Sequence, residues 1–457
     1  MSGIFGAYNQ KGGRVLEDVY LGLYALQHRG QLSAGVSWIS DGTVHIKKGL
    51  GLVHDALNQK ELSEIDAEYA IGHVRHDTAG NPSNKNSQPL GANYSRGPIA
   101  LAHSGNLTNY IGLAGYLQNR GAVFHTETDS ETILQLMAHQ PAKDQLDAFE
   151  TALSKLRGAY SISMIISDKL VAARDPWGFR PLVLGRRADT YYVASETCAF
   201  DLLGAELIRD IEPGEILIID KSGISSRKIP VEPVRKRHCA FEYVYFARPD
   251  SRIDGVTVYN ARKKMGALLC KNCRISKDAL VTGMPDSGTI AALGLAEEAK
   301  VPYEVAIVRN RYVGRTFIQP TQRVREAGVK IKFNPQPKMF EDKEVFVVDD
   351  SMVRGTTTQK VVSDLRDKGA GKINIKIASP KITHPCYYGI NTPSSDELAA
   401  ARMNEDEICT YVGADSIAFL SCEELAEAIG IPESELCTAC FNGAYLDDEE
   451  FDNRKDF

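Results

Sequence analysis

VFVVDDSMVRGTTTQKVV, residues 345–362, is the stretch that decides the fold of the C-terminal half of the chain. It opens with an apolar, β-branched run, residues 345–348, which is typical of a strand buried on both faces of a parallel sheet. Two carboxylates, Asp349 and Asp350, follow the predicted strand, and a turn of small and hydroxylic residues then leads into a helical pattern. A strand–turn–helix unit directs backbone N–H groups and the positive end of a helix at an anion. We therefore predict that this turn binds a phosphate.

The paired carboxylates extend this prediction to a sugar and a metal ion. Adjacent carboxylates suit the vicinal hydroxyls of a ribose and a hard cation such as Mg²⁺. The Gly-Lys-Ser/Thr ending of a Walker loop is absent. Phosphate, diol and metal together indicate phosphoribosyl diphosphate (PRPP), and the string DDS-x-x-RGTTT resembles the signature of the type I phosphoribosyltransferases. The alternative interpretation is an ordinary surface turn after a buried strand.

Length and composition limit the class of protein. The 457 residues are enough for two or three domains, and a net charge of −6 with evenly mixed signs argues against nucleic acid as the main partner. No apolar run approaches transmembrane length, and the first nine residues lack the basic start of a signal peptide, so we expect a cytoplasmic protein with no membrane partner. Nine cysteines are too few for a secreted disulfide scaffold, and in a reducing compartment clustered cysteines favour metal or redox chemistry.

The N-terminal part is predicted to be a layered α+β domain that extends to about residue 230. Apolar residues at helical spacing predict a helix from Leu16 to Leu26 that ends at the QHRG sequence, residues 27–30. Two further helices are predicted over residues 111–119 and 130–139. Strands are predicted over residues 36–39, 44–46, 69–73, 99–103, 161–166, 191–194 and 215–219. Residues 230–237, with two prolines and a basic run, are the predicted linker.

Beyond the linker, strand and helix patterns alternate, which predicts a parallel sheet with ligands at the carboxyl ends of its strands. The predicted strands are residues 279–282, 304–308 and 345–348, and the predicted helices are residues 290–298 and 357–367. The PDSG sequence, residues 285–288, forms a second anion cradle suited to diphosphate. The basic, aromatic loop RNRYVGRTFI, residues 309–318, is suited to fold over an anionic substrate and exclude water, with a solvated basic face as the alternative.

Motifs spread along the chain resemble the glutamine PRPP amidotransferase family, which makes phosphoribosylamine at the start of purine synthesis. In chain order they are SGIFGAY, LYALQHRGQ, RDPWGFRPL, SETCAFD, EYVYFARPDS, VRNRYVGRTFIQP and VVDDSMVRGTTT. The resemblance implies an N-terminal-nucleophile hydrolase domain, an αββα sandwich, over residues 1–232. It implies a type I phosphoribosyltransferase α/β domain with a C-terminal iron–sulfur-binding segment over residues 233–457. In the family, the first domain hydrolyses glutamine, and the ammonia attacks C1 of the ribose in the second domain as diphosphate leaves.

The transferase motifs match the family well. By this resemblance, Asp349 and Asp350 bind the ribose hydroxyls and Mg²⁺, with Ser287 contributing to the metal site. The residues implied to bind PRPP are Asp349, Asp350, Ser351, Arg354, Gly355, Thr356, Thr357, Thr358 and, on the closing loop, Arg311 and Arg315. Since little covalent chemistry is needed at C1, positioned charge is expected to provide most of the rate.

The glutaminase half departs from the family at its nucleophile. The family places a cysteine directly after the initiator methionine or a propeptide, so that the thiol attacks glutamine and its own α-amine serves as base. In this chain the position is Ser2. The oxyanion segment His-Asn-Gly-Asn is here His103-Ser104-Gly105-Asn106, so the amide donor is replaced by the hydroxyl of Ser104.

Other positions of the same pocket also differ. The usual Arg-Tyr-Ser-Thr is Arg-His-Asp-Thr at residues 75–78, and the glutamate expected in LQHRGQESAG is Leu32. Arg75 and Asp129, which in the family hold the carboxylate and amine of glutamine, are retained. Because the loss of a single oxyanion donor costs about 2.7–4 kcal/mol of barrier, we expect a glutaminase that is inactive or repurposed.

Four cysteines form a second strong match. Cys239, Cys386, Cys437 and Cys440 fall where many bacterial members ligate a [4Fe–4S] cluster, which needs four thiolates. Zinc held by the same thiolates is the alternative metal, and plain buried cysteines are the third interpretation. We expect a structural centre that pins the C-terminal segment to the transferase core. Cys270 and Cys273 form a further C-x-x-C pair with no family counterpart and no assigned role.

Three functions are therefore compared. The first is a PRPP-dependent transferase that has lost glutamine use and takes free ammonia or another amine at C1. The second is an N-terminal-serine amidase with an altered substrate, and the third is a catalytically silent regulatory paralogue. The intact PRPP motifs favour the first. The family also suggests nucleotide regulators and a homotetramer or homodimer.

Overall fold

The computed structural model describes residues 2–76, 81, 83–231, 236–271, 274–310 and 333–446. The N-terminal half is built around two antiparallel sheets. Its strands are β1 Gly3–Asn9, β2 Ser33–Ser40, β3 Thr43–Leu50, β4 Tyr69–Arg75, β5 Leu90–Tyr94, β6 Gly97–Leu107, β7 Gly158–Ile166, β8 Lys169–Arg174, β9 Val183–Arg187, β10 Thr190–Ala194, β11 Glu206–Asp210, β12 Glu215–Asp220 and β13 Gly223–Lys228. The first sheet has the order β11-β9-β10-β1-β4-β2-β3, and the second has the order β13-β12-β8-β7-β6-β5.

The two sheets face each other and helices cover their outer sides. The helices are α1 Leu16–Ala25, α2 Val53–Ala56, α3 Gln59–Glu64, α4 Tyr110–Gln118, α5 Ser130–His139, α6 Gln145–Leu153 and α7 Cys198–Leu203. Ile4 and Tyr8 of β1 meet Ala102 of β6 and Ile165 of β7 in the core between the sheets. Helices α1 and α7 cover the first sheet, and α5 and α6 cover the second. The αββα sandwich implied by the family resemblance is confirmed.

The C-terminal half contains a parallel sheet with helices on both faces. The strands of this half are β14 His238–Cys239, β15 Arg252–Ile253, β16 Val256–Thr257, β17 Leu280–Gly283, β18 Ile307–Arg309, β19 Phe333–Pro335, β20 Val345–Asp349, β21 Ile373–Ile377, β22 Ser416–Phe419 and β23 Leu436–Cys437. Its helices are α8 Val258–Leu269, α9 Thr289–Ala299, α10 Thr356–Asp367, α11 Ala399–Arg402, α12 Glu405–Val412, α13 Cys422–Ile429 and α14 Ala439–Asn442, with a π-helical turn over Glu242–Phe246. The four central strands have the order β17-β20-β21-β22.

Strand β20 is buried on both faces, as its sequence predicts. Phe346 and Val348 point into one core with α8, α9 and α13, whereas Val345 and Val347 point into another with α10 and α12. A strand with apolar neighbours on both sides needs an unbroken apolar run, and this explains why VFVV does not alternate with polar residues.

One predicted strand is placed differently. Residues 304–308 were expected to join the parallel sheet, but β18 pairs antiparallel with β19 in a separate ribbon. The segment before β18 still contacts β17, through a bridge from Tyr303 to Val281 and a hydrogen bond from the Glu304 N–H to the Val281 carbonyl at 2.9 Å. Val305 and Val308 are 58% and 43% exposed, so this segment is not buried on both faces. A short apolar run does not distinguish these two settings by its pattern.

The last strand of the second sheet ends at Lys228, and β14 begins at His238. Residues 232–235, where the predicted boundary falls, lie outside the described residues, so the division into 1–232 and 233–457 stays a prediction. Strand β14 pairs in parallel with β23, which brings the C-terminal segment back to the start of the C-terminal half. Within the described ranges, no helix combines the length and apolar character needed to span a bilayer.

Candidate functional site

The predicted PRPP residues meet at the carboxyl ends of β17 and β20. Asp349 ends β20, and Asp350 follows it as a buried side chain. The Ser351 hydroxyl donates to Asp350 Oδ1 at 2.7 Å, and the Asp350 N–H donates to Asp349 Oδ1 at 2.9 Å. Burial raises the pKa of Asp350, while hydrogen bonds from Ser287 and Ser351 act to lower it. Ser287, from the neighbouring strand's turn, therefore lies at the same carboxylate, as the sequence predicts.

Two turns form the floor of this site. Gly355 has φ +76° and precedes α10, so its left-handed backbone lets the chain turn directly from the strand end into the helix. In the PDSG turn, a Cβ on Gly288 would lie 2.3 Å from the Val348 carbonyl oxygen of β20, so only glycine permits this close approach. Both turns thus bring backbone N–H groups and a helix N-terminus to the same sheet edge.

Charged side chains surround these turns. Arg354 Nε donates to Glu397 Oε2 at 2.8 Å, and Arg309 Nη1 donates to Asp286 Oδ2 at 2.5 Å. Arg262 lies buried beneath the site, and its charge acts on Asp350 to lower that carboxyl's pKa. Arg311 and Arg315 of the predicted closing loop lie outside the described residues.

A second site surrounds Ser2 at the start of β1. Its cavity has a volume of about 10 Å³. The lining residues are Ser2, Arg75, Gln88, His103, Gly105, Thr128, Asp129 and Ser130. A single water needs roughly 10–15 Å³, so this cavity has room for about one water in the conformation described.

Three groups hold Ser2. Its carbonyl oxygen accepts from Ser104 Oγ at 2.7 Å and from Arg29 Nε at 3.1 Å, and its hydroxyl accepts from the His76 backbone N–H at 3.3 Å. The Ser104 hydroxyl, which stands where the family has an amide donor, is thus directed at the Ser2 carbonyl. The next residue, Gly105, must be a glycine, because a Cβ at position 105 would lie 2.0 Å from the Ala159 carbonyl oxygen.

The retained pocket residues are buried and already engaged. Asp129 Oδ2 accepts from the Leu107 N–H at 2.9 Å, and its Oδ1 lies 3.8 Å from His103 Nδ1. Arg75 Nη1 donates to the Asn81 carbonyl at 3.3 Å. Burial lowers the pKa of His103, even though the charge of Asp129 opposes that shift. The neutral imidazole instead bonds Ser130 Oγ through Nδ1 at 2.9 Å.

A buried ion network joins Ser2 to the C-terminal half. Arg29 pairs with Glu196 Oε1 at 2.5 Å and with Glu242 Oε1 at 2.8 Å, and all three side chains are at most 1% exposed. Glu242 is the first residue of the π-helical turn, and Phe246 is the last. The centroid of the Phe246 ring lies 4.9 Å from the guanidinium carbon of Arg29 and 5.8 Å from the centroid of the His76 ring. Arg29 and His76, which both contact Ser2, therefore also contact the Phe246 ring of the C-terminal half.

The four predicted cluster ligands share one buried region. Cys239 and Cys437 are partners in the β14–β23 pair, Cys386 accepts from the Tyr388 N–H at 3.4 Å, and the Cys440 carbonyl accepts from the Thr383 and His384 N–H groups. Burial raises the pKa of Cys440, and charge on Cys386, Cys239 and Cys437 raises it further, so all four thiols lie within electrostatic reach of one another. Among the described residues, no three His, Cys, Asp or Glu side chains converge to hold a single metal ion.

Known proteins match the chain over nearly its whole length. The amidophosphoribosyltransferase of Methanocaldococcus jannaschii is 43% identical over 99% of both chains, and that of Bacillus subtilis is 43% identical over 97% of this chain and 93% of its own. The chain belongs to the amidophosphoribosyltransferase family. It is accordingly a phosphoribosyltransferase enzyme, as the sequence predicts.

Structural and domain comparisons agree with this membership. The solved glutamine PRPP amidotransferase of B. subtilis, complexed with ADP and GMP, superposes with a TM-score of 0.90 at 42% identity and 97% coverage of both chains. A family model described as a glutamine amidotransferase domain matches residues 73–201. The chain thus has the family's N-terminal-nucleophile glutamine amidotransferase domain followed by its phosphoribosyltransferase domain.

Several residues around these sites were not identified from the sequence. Arg29, Arg180, Glu196 and Glu242 lie in the recognised motifs QHRG, RDPWGFRPL, SETCAFD and EYVYF, yet no role could be assigned to them. All four are completely or almost completely buried, whereas charged residues are mostly exposed in proteins. The presence of charged residues in family motifs was the one signal available, and it does not say which charges pair.

Proposed function

We propose that this family member displaces diphosphate from PRPP with ammonia or another amine. The amine nitrogen bonds to C1 of the ribose while the bond from C1 to the diphosphate oxygen breaks, and the nitrogen releases a proton to solvent. The observation that carries this proposal is the meeting of Asp349, Asp350 and Ser287 with the two glycine-containing turns at one sheet edge.

The proposed roles follow from the chemistry of each group. Asp349 and Asp350 would accept hydrogen bonds from the ribose hydroxyls, and the backbone from Ser351 to Thr358, including Arg354, Gly355, Thr356 and Thr357, would hold the 5′-phosphate. Mg²⁺ favours carboxylate oxygens together with substrate phosphates, and Asp349 and Asp350 place two carboxyl groups side by side at the strand end. Asp349, Asp350 and Ser287 would hold it, and it would supply positive charge to the diphosphate.

Calorimetry with PRPP and Mg²⁺ tests these assignments. Asp349→Asn and Asp350→Asn are each expected to lose most PRPP affinity because they remove acceptors for the ribose hydroxyls and the cation. Asp367→Asn is the matched control, since Asp367 is an exposed carboxylate at the far end of α10. Unchanged PRPP affinity in both site variants would rule out the proposed site.

We also propose that glutamine hydrolysis is lost or very slow. Two observations support this: a hydroxyl replaces the thiol at position 2, and the Ser104 hydroxyl is directed at the Ser2 carbonyl. Transition-state stabilisation needs preorganised donors aimed at the developing oxyanion, so these changes are expected to compound.

Two activities measured in one preparation distinguish the candidate functions. The proposed enzyme releases diphosphate from PRPP with ammonia but no glutamate from glutamine. Rapid glutamate release would contradict the loss of glutaminase and favour the N-terminal-serine amidase. A protein that releases neither product would be the silent regulatory paralogue.

Rescue variants test why glutaminase is lost. Ser2→Cys alone is expected to stay inactive because the oxyanion donor is still missing. Adding Ser104→Asn is expected to raise glutamate release by about 10²–10³-fold over the single variant, the usual effect of one oxyanion donor. Ser104→Asn alone is the control and is expected to remain inactive.

For the cysteines, we propose a [4Fe–4S] cluster held by Cys239, Cys386, Cys437 and Cys440. Each ligand of such a cluster binds a different iron, and the support for a cluster is the sequence match of the four cysteines together with the electrostatic interaction of their thiols in one region. The cluster would supply a rigid cross-link between β14, β23 and the loop of Cys386.

Metal analysis of protein purified without oxygen tests the cluster. About four irons per chain are expected, and Cys437→Ser is expected to lose them. Cys422→Ser is the control, because Cys422 begins α13 and is not one of the four. Stoichiometric zinc, or no metal, would contradict the proposal.

Regulation and assembly remain proposals taken from relatives. The B. subtilis enzyme is solved with ADP and GMP, and we propose that purine nucleotides of this kind also regulate this chain. The homotetramer or homodimer, the cytoplasmic location and the domain boundary at residue 232 are retained as predictions.

A further inference from the structure

Arg180 is a buried cation between the four thiols and the interdomain ion network. It is 1% exposed. Its Nε and Nη2 both donate to the Tyr388 carbonyl oxygen, with the Nε distance 3.1 Å. Its Nη1 lies 3.6 Å from Glu242 Oε1 and makes no hydrogen bond within the described part of the chain. Since buried donors are normally satisfied, Nη1 is available to a bound group that the described residues do not supply.

Backbone contacts place Arg180 beside two of the thiols. The Tyr388 N–H donates to Cys386 Sγ, and the Tyr388 carbonyl accepts from Arg180, so one residue connects the two side chains. The carbonyl of Phe179, next to Arg180, accepts from the Cys239 N–H at 3.2 Å. The Phe179 ring stacks on the Tyr388 ring at 4.2 Å between centroids, which holds both segments together.

The electrostatics agree with this placement. Burial acts to lower the pKa of Arg180, but negative charge on Cys239, Glu242 and Cys386 outweighs it and raises the pKa. In return, Arg180 acts to lower the pKa of Cys239 and Cys437, both of which are raised mainly by burial. The apolar residues packed around the thiols include Ala159, Ala439 and Tyr445.

A metal–thiolate centre in this region would carry excess negative charge. Four thiolates around a cluster core of charge 2+ leave a net charge of −2, and a buried net charge is costly unless it is paired. Donors to the sulfur atoms and nearby positive charge are also the groups by which a protein raises the reduction potential of a cluster.

We infer that Arg180 is the positioning residue of this centre, with Nη1 donating a hydrogen bond to the sulfur of a cluster-bound cysteine, Cys239 or Cys386. This inference rests on the cluster proposed above. Arg180 thereby neutralises part of the cluster's charge and ties the centre through Glu242 to Arg29, whose Nε contacts the Ser2 carbonyl.

Reduction potentials of anaerobically purified variants test the charge. Arg180→Gln is expected to lower the cluster's reduction potential, since reduction adds negative charge that the cation stabilises, and Arg180→Lys is expected to restore part of the shift. Arg187→Lys is the control: Arg187 ends β9 and pairs with Asp18 at 2.8 Å, and no shift is expected. Equal potentials in the wild type and both Arg180 variants would overturn the inference.

A measurement on the wild-type protein does not depend on the variants' folding. With ¹⁵N-labelled arginine, pulsed EPR of the reduced cluster is expected to show one weakly coupled ¹⁵N, and the coupling is expected to vanish in Arg180→Lys. Iron at about four per chain without such a coupling overturns the role of Arg180 and leaves the cluster standing. Protein without iron overturns both.

Discussion

At the residue scale, three buried carboxylates differ in how their charge is compensated. Arg174 and His238 outweigh the effect of burial on Asp254 and hold its pKa well below the usual range. Asp350 has hydrogen bonds from two serines, and burial still raises its pKa. Asp175 accepts the backbone N–H groups of Tyr160, Trp177 and Phe179, and burial raises its pKa to about 6. Asp350, the one at the proposed substrate site, is thus the carboxylate whose charged form a bound cation would favour against the effect of burial.

Asp175 predicts a measurable dependence of stability on pH. Its pKa is about 6 in the folded protein and near the ordinary 3.8 when unfolded, so the folded state binds this proton more tightly. Stability is therefore lost as the pH rises from 4 to 6, by about 3 kcal/mol for a shift of this size, and the loss is complete above pH 6. Urea denaturation of the wild type and Asp175→Asn between pH 4 and 7 checks this. The free energy of unfolding of the wild type is expected to fall relative to the variant over that interval, and parallel curves would contradict it.

At the scale of secondary-structure elements, the PDSG turn and β20 form one unit. The Met284 N–H donates to the Val348 carbonyl at 2.8 Å, and Gly288 passes the same oxygen so closely that a Cβ would lie 2.3 Å away. Because that oxygen directly precedes Asp349, any displacement of the turn also moves the paired carboxylates. The spacing between the two proposed anion cradles is therefore set by backbone packing.

Gly288→Ala tests this packing. The extra methyl is expected to destabilise the protein by about 1–3 kcal/mol, the usual cost of overpacking, and to weaken PRPP binding measured by calorimetry. Gly112→Ala is the matched control: Gly112 lies in α4 with no atom within 4 Å of an added Cβ, and alanine is expected to add about 0.5–1 kcal/mol there. A Gly288→Ala protein with normal PRPP affinity would show that the turn moves independently of β20.

At the scale of the whole molecule, the two halves are joined by buried charges and by the loop that carries Cys386. Arg29 and Glu196 come from the N-terminal half, and Glu242 comes from the C-terminal half. The Asn106 side chain of the oxyanion segment donates to the Tyr387 carbonyl at 2.8 Å, so the loop next to Cys386 also rests on the Ser2 pocket. Two separate contacts thus link the proposed metal centre and the transferase half to the pocket around Ser2.

Arg29→Met tests how strongly the buried charges hold the halves together. Removing this cation leaves Glu196 and Glu242 without their shared partner, and breaking a buried pair in this way costs about 3–5 kcal/mol. Arg227→Met is the control, because its pair with Glu150 at 3.2 Å is on the surface and contributes about 0–1 kcal/mol. We expect the Arg29 variant to lower the urea midpoint strongly and to separate unfolding into two transitions monitored by circular dichroism. A single transition with an unchanged midpoint would contradict this role.

The sequence by itself determined the family and both fold classes, and it placed the two turns at the strand ends, because these depend on patterns between near neighbours. The unbroken apolar run of β20, the glycines of the two turns and the positions of four cysteines are all visible in this way. Tertiary structure alone decided that β18 leaves the parallel sheet, that the Ser104 hydroxyl meets the Ser2 carbonyl, and that Arg29 and Arg180 are buried. A charged side chain looks the same in the sequence whether it is solvated or paired, and the partner of Arg29 is 213 residues away. Ion pairs between such distant residues depend on how the sheets and helices of the two halves pack together, and a pattern between neighbouring residues carries no information about that packing.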